Sequence, residues 1–335
     1  MKAYEIEKFG LEGLSVVERP EPEPRANQVL VRMHAWSLNY RDLMTITGRY
    51  NPRLRLPQIP LSDGAGEVVA VGADVKGVKP GDRVANTFFE RWVSGIATDE
   101  AAKTALGAGR DGVLAEYVVL HEDGVIPVPK HLTYTEAATL PCAALTAWHA
   151  LVVEGKIKAG DIILTLGTGG VSIFALQFAL LHGAEVIITS SNDEKLAKAR
   201  QLGARHTINY KQTPDWSKSI RQLTGGCGVD LVVELGGPGT FNQSVAAIRR
   251  GGRMSLIGVL AQGGEANVVP VLMNGICVQG IFVGSREMFS AMNTAIVLHH
   301  LHPIIHQNFG FDEVPEAFRL MESGGHFGKI CIRRQ

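Results

Sequence analysis

The stretch from Ile162 to Leu181 runs for 20 residues without a charge and carries Gly167, Gly169 and Gly170. An uncharged run of that length is long enough to cross a bilayer, but the glycines would break a spanning helix near its middle. A buried strand, a glycine turn and a buried helix explain it better. Asp161 to Leu166 reads as the strand, and Val171 to Leu181 has a helical apolar pattern that ends at His182-Gly183. In that setting the first glycine of Gly167-Thr168-Gly169-Gly170 permits a tight turn, and the second lets backbone approach a pyrophosphate. The helix start then offers free N–H groups and the positive end of its dipole. Gly167, Gly169, Gly170 and Val171 are therefore expected cofactor contacts. Ser172 takes the third fingerprint position in place of glycine, which a slightly wider helix–strand contact tolerates.

A plain strand–helix turn can look the same, so the flanking rhythm matters. Further strands are expected at Glu185 to Thr189, His206 to Asn209, Val229 to Leu235, Arg253 to Gly258 and Cys277 to Val283, with a helix from Asp193 to Leu202 closed by Gly203. Repeated βα units mean an α/β, doubly wound domain with a parallel sheet and helices on both faces. The earlier part reads as short strands, at Val29 to Ala35, Glu67 to Gly72, Arg83 to Ala85 and Ala115 to Leu120. Their Gly and Pro punctuation suggests a β-barrel-like domain. After Val283 a helical run, Ser285 to Leu301, leads away from the sheet. With 335 residues, two domains are expected: 1–125 with 285–335, and 126–284 for the nucleotide-binding part.

Lys+Arg and Asp+Glu balance at 33 each, so no global field draws nucleic acid or an anionic membrane. The expected partner is a small-molecule substrate. Cys142, Cys227, Cys277 and Cys331 lie far apart with no CxxC pair, which argues against a disulfide framework and a structural zinc module and points to reduced thiols in the cytoplasm. Met1 to Lys8 has no apolar core of a signal peptide.

Cofactor choice is read 23 residues beyond Gly167, at the end of the second strand. An acidic residue there would hold the ribose 2′-hydroxyl of NAD. This chain has Ser190, Ser191 and Asn192, with Lys195 a turn later. Hydroxyls and an ammonium suit the 2′-phosphate of NADP(H), although the same residues also suit a helix cap.

At this point the sequence resembles the medium-chain dehydrogenase/reductase superfamily. The likeness runs through Ser37-Leu38-Asn39-Tyr40-Arg41-Asp42, Asp63 to Gly72, Val78 to Val84, the glycine turn and Gly328-Lys329. It implies a GroES-like catalytic domain beside a Rossmann domain. In zinc alcohol dehydrogenases of the superfamily the metal ligands are Cys, His or Glu, and Cys. Here those positions fall on Asn39, on Ser62 followed by Asp63, and on Cys142. Residues 86–112, where a structural-zinc lobe would lie, contain no cysteine. An amide, a hydroxyl and one thiol do not make a catalytic zinc site, so no metal is expected. His299, His300, His302 and His306 read as a solvated or partly buried face of a C-terminal helix and loop.

What remains is similar to the zinc-independent branch that includes quinone oxidoreductases and enoyl reductases. There a Lys and a Tyr 15 residues apart bind the 2′-phosphate, a spacing that Lys195 and Tyr210 keep. The glycine turn is one residue shorter than the GASGGVG of quinone oxidoreductases and has the length found in alcohol dehydrogenases. The resemblance also implies Thr146 beside the nicotinamide ribose, Gly258 and Val283 at strand ends lining its pocket, and Lys329 on the diphosphate. It sets Asn39, Tyr40 and Asp42 in the active-site loop, where Asp42 serves equally well as a turn carboxylate. The activity expected is hydride transfer between NADP(H) and a quinone, enone or other carbonyl. A zinc-type alcohol dehydrogenase and a non-catalytic NADPH-binding protein are the alternatives. A homodimer is expected through the apolar strand from Cys277 to Val283 at the sheet edge.

Overall fold

In the computed structural model, residues 1–258, 260 and 263–334 are described. Ala3, Tyr4 and Ile6 bury one side of β1 (Lys2–Ile6), which pairs antiparallel with β2 (Leu14–Glu18). β3 (Gln28–Ser37) is the longest strand among the described residues. It pairs antiparallel with β4 (Asp63–Val71), and β4 with β5 (Arg83–Asn86). β6 (Tyr117–His121) lies against β3, and β7 (Val125–Pro127) against β5. The chain then leaves for a continuous second unit, residues 146–282, and returns at Val283 to finish the first.

The second unit repeats strand and helix. Its strands are β8 (Ile162–Leu166), β9 (Glu185–Ser190), β10 (His206–Asn209), β11 (Val229–Glu234), β12 (Ile248–Leu256) and β13 (Cys277–Gly280). They form one parallel sheet in the order β10-β9-β8-β11-β12-β13, so the order reverses between β8 and β11. Ligands of open α/β sheets bind outside the carboxyl ends of the strands at such a reversal. The helix Gly170–Leu181 buries Ile173, Phe174, Leu176 and Phe178, as its nearly unbroken apolar sequence requires. Among the described residues no helix is long and apolar enough to cross a membrane.

A buried carboxylate fixes the turn after β11. Glu234 is 0% exposed and accepts hydrogen bonds from the N–H groups of Gly236 (2.7 Å) and Gly237 (2.9 Å) and from the hydroxyls of Thr240 and Ser244. Four donors offset the cost of removing its charge from water.

The returning chain adds helix Arg286–Leu298, then β14 (Ile305–Gly310) and β15 (Lys329–Arg333). The first unit's large sheet runs β14-β15-β3-β4-β5-β7, with β6 also on β3. Its core gathers Trp36, Leu43, Ile46, Val113, Phe318 and Ile332, each nearly or fully enclosed. A fully buried side chain of that size contributes roughly 1.5–3 kcal/mol.

Several elements differ from the sequence reading. Residues 126–145 cluster with the first unit, because β7 continues the β5 ladder and helix Tyr134–Ala137 lies against β3, β4 and β15. Strand Cys277 to Val283 stops at Gly280, where its ladder with Leu256 ends. Val283 itself turns into the left-handed region (φ 56°) and belongs to the first unit. β12 starts earlier than Arg253, and Gly251 (φ 67°) absorbs an irregularity in its register. His306 lies in β14 instead of on a helix or loop.

Candidate functional site

In the first unit, sheet register creates a polar cluster. Ser37 of β3 faces Cys331 of β15 and Asp63 of β4. Just beyond that row lie Asn39, Lys329 and Ser62. Lys329 is only 3% exposed, and its ammonium donates to Leu38 O at 2.5 Å and Asn39 Oδ1 at 2.7 Å. The Ser62 hydroxyl donates to Asp63 Oδ1 (2.7 Å), and the Cys142 N–H donates to Asp63 Oδ2 (3.1 Å). Asn86 locks the approach to β4, accepting from Gly64 N–H at 2.8 Å and donating to Ser62 O at 2.6 Å. Leu61, one residue earlier, is buried at φ 69°, a conformation costly for a branched side chain.

Burial sets the protonation of this cluster. Asp63 is pushed above the ordinary carboxylate range by desolvation; Lys329, the Asn39 side chain and the Ser62 hydroxyl oppose the shift without cancelling it. The Cys142 thiol is raised by desolvation and then by the Asp63 charge, so it stays protonated. Asp42, 1% exposed, accepts from Asn39 N–H at 2.9 Å and from Arg41 Nη1 at 3.3 Å, so its carboxylate closes the turn into helix Tyr40–Ile46. Tyr40 opens that helix and is 37% exposed.

These residues do not fit catalytic zinc. The amide oxygen already carries an ammonium, the hydroxyl already donates to Asp63, and Cys142 is a single thiol beside them. Zn²⁺ needs thiolate, imidazole or carboxylate ligands. Among the described residues, no three His, Cys, Asp or Glu side chains converge to hold a metal ion. His302 Nδ1 instead pairs with Glu136 Oε1 at 2.6 Å. Lys329, expected on a diphosphate, has its ammonium on Leu38 and Asn39.

The second unit brings Gly167, Ser190, Tyr210 and Gly258 to the carboxyl ends of β8, β9, β10 and β12. Gly167 follows β8 at φ 76°, with open space where a Cβ would stand and its N–H on Thr189 O (2.8 Å). Gly169 and Gly170 begin the helix, and Val171 is half-buried beside them. Ser172 Oγ donates to Leu166 O at 2.7 Å. The hydroxyl thereby finds a partner in the space a third glycine would leave. This open turn at a helix N-terminus fits a dinucleotide phosphate.

At the neighbouring strand ends, Tyr210 N–H donates to Ser190 O at 3.1 Å, which brings Tyr210 beside the end of β9. Asn192 Oδ1 accepts from Lys195 N–H at 2.9 Å and caps helix Asp193–Gln201, while Ser191 stays half-buried. Desolvation and the nearby Lys198 lower the Lys195 pKa. Gly258 lies beyond β12, where a Cβ would come within 2.1 Å of Leu235 O, so only glycine fits. Thr146 is buried in helix Leu145–Trp148, at the start of the second unit. Arg41, Asn86 and Glu234 were not distinguished as site residues in the sequence, because their partners lie far off in the chain or give no periodic signal.

The family model for the alcohol dehydrogenase GroES-like domain matches residues 25–130, and that for zinc-binding dehydrogenases matches residues 170–297. A zinc-type alcohol dehydrogenase-like protein of Schizosaccharomyces pombe is 45% identical over 91% of this chain and 90% of its own length. A quinone oxidoreductase of Sus scrofa is 28% identical over 99% of this chain and 97% of its own. The crystal structure of a Sinorhizobium meliloti protein assigned to the alcohol dehydrogenases superposes with a TM-score of 0.91 at 42% identity, covering 99% of this chain and 98% of that one.

The buried Asp42 makes stability pH-dependent in a defined direction. Desolvation pushes it from 3.8 up to about 6, with Arg41 opposing and Asp63 adding to the rise. Between those values the folded protein binds a proton that the unfolded chain does not, so this group lowers stability as pH rises from about 4 to about 6. The lost stability is at most about 3 kcal/mol for a shift of that size. Asp42→Asn removes this dependence, and its unfolding temperature should gain on wild type between those pH values. A constant difference across the range would show that Asp42 does not titrate there.

Proposed function

The chain belongs to the medium-chain dehydrogenase/reductase superfamily, as an oxidoreductase related to alcohol dehydrogenases and quinone oxidoreductases, and we propose that it uses NADP(H) without zinc to reduce an electron-poor acceptor. A quinone or an α,β-unsaturated or otherwise activated carbonyl suits this chemistry. The observation that carries the reading is the Lys329 ammonium on Asn39 Oδ1, where a zinc enzyme of the superfamily needs a thiolate. With no Lewis acid to polarise a plain carbonyl, the acceptor must supply its own electron demand.

When bound, the nicotinamide supplies the hydride. Gly167, Gly169 and Gly170 hold the dinucleotide phosphate, and Ser190, Lys195 and Tyr210 hold the 2′-phosphate. The exposed Tyr40 hydroxyl donates a hydrogen bond to the oxygen that gains charge. Asn39, tied to Lys329, keeps the start of that helix in place. Asp42 closes the same turn, so its part is to position Tyr40.

A screen of NADPH oxidation over quinones, enones, aldehydes and ketones, run beside elemental analysis, tests the reaction. Turnover of a quinone or enone unchanged by chelator is expected. Stoichiometric zinc lost together with activity would return the chain to the zinc alcohol dehydrogenases. Tight NADPH binding with no turnover would make it a non-catalytic binding protein.

Cofactor preference has a separate test. Lys195→Ala should weaken NADPH binding by about 1–2 kcal/mol, the scale of one charge-assisted contact, and leave NADH nearly untouched. Equal wild-type affinity for the two nucleotides would reduce the Ser190–Lys195 cluster to a helix cap.

A homodimer through the second unit completes the proposal. β13 is an edge strand, and Leu260, Val268, Val269, Leu272 and Met273 are each at least half exposed near it in the chain. Pairing across a two-fold axis would cover such an edge. Light scattering should give twice the 36.1 kDa chain mass; a monomer at micromolar concentration would refute the dimer.

A further inference from the structure

Arg41 follows Tyr40 in helix Tyr40–Ile46, and its side chain is only 11% exposed. A guanidinium carries five N–H donors in a rigid fork. Nη1 is used, donating to Leu106 O at 2.8 Å and Asp42 Oδ1 at 3.3 Å. Nε and Nη2 are enclosed and have no hydrogen-bond partner among the described residues. Those two nitrogens form the edge that grips a carboxylate through parallel hydrogen bonds. The Tyr50 and Phe88 ring centroids lie 5.0 Å and 4.9 Å from Cζ. Aromatic surroundings of this kind strengthen the attraction of a planar cation for an anion by keeping water out.

A guanidinium that served only to brace the chain would turn its fork onto carbonyl groups, because each dry, unmatched donor destabilises the fold. Here Nη1 alone braces the chain, and the gripping edge is left unmatched. Phe88 is fixed in the interior at 1% exposure. Tyr50 is 36% exposed and precedes the exposed residues Asn51, Pro52 and Arg53, so of the two rings it is the one at the surface.

We propose that the Nε/Nη2 edge of Arg41 receives a carboxylate of the substrate, which makes the acceptor an enone or other activated carbonyl that bears an acid group. This inference rests on the reductase reading above, with Tyr40 on the same helix. Phosphates of the cofactor share the anionic oxygen chemistry and are the competing source.

The probes are benzoylacrylate, an enone acid, and its neutral methyl ester. Wild-type protein should reduce the acid with kcat/KM about tenfold or more above the ester, the difference lying in KM. Arg41→Lys should keep part of that preference and Arg41→Met should bring the two substrates close to parity. Equal values for acid and ester in wild type overturn the proposal without any variant. It is also overturned if Arg41→Met weakens NADPH binding about tenfold while the acid preference persists, since the guanidinium then serves a cofactor phosphate. If neither compound is reduced, the reductase reading is decided by the acceptor screen and the anion site by binding. Calorimetric titration with the unreactive benzoylpropionate and its methyl ester then decides the matter. An acid preference removed by Arg41→Met upholds the site, and equal binding of acid and ester overturns it.

Discussion

The first unit is organised around one enclosed ammonium. Lys329 sits at the start of β15 with its charge on a backbone carbonyl and an amide oxygen, in the field of two carboxylates, Asp63 and Asp42. Removing these charges from water is expensive unless each has hydrogen bonds and opposite charge nearby. The sheet satisfies that condition by register, because β15, β3 and β4 deliver their polar residues to the same end. Asn39 is held by this arrangement, and so is the turn that presents Tyr40 and Arg41. Apolar packing behind it, around Trp36 and Leu43, gives the sheet its stability but does not fix which polar atoms meet.

The second unit solves a different problem. Its task is to leave backbone donors free at one edge of a buried sheet, and glycine is the only residue that does so without filling the space. Ser172 marks the limit of that rule. Its hydroxyl reaches Leu166 O, so a side chain is accepted where it replaces a lost contact with a hydrogen bond. Glu234 does similar service after β11, gathering four donors that the turn would otherwise leave without partners.

How much of this is readable from sequence depends on the range of the interaction. The glycine turn and the strands around it are legible because their signal is local: apolar period, glycine, then apolar period again. Asn39, Ser62 and Cys142 are legible as unsuitable metal ligands through likeness to a family. The placement of Lys329 is not, since its partners lie 290 and 291 residues away and only strand register brings them together. The same reason hides the membership of residues 126–145 in the first unit, because β7 is recognisable only by the strand it continues. The positive φ angles at Val283, past the end of β13, and at Gly251, inside β12, are local backbone features that no apolar pattern announces.

The interleaving of the two units bears on how the chain is made. Residues 146–282 are continuous and can close around their own core as soon as they are synthesised. The first unit has no such option, for the strand lying between β14 and β3 is β15. Until Lys329–Arg333 has been translated, β3 has β6 beside Gln28–Arg32 but no strand beside Ala35–Ser37 on that edge, and Asn39 Oδ1 lacks the ammonium it accepts from. The polar centre of the first unit therefore forms only after the second unit has been synthesised, and a ribosome stalled short of β15 carries a finished nucleotide-binding unit attached to an incomplete sheet.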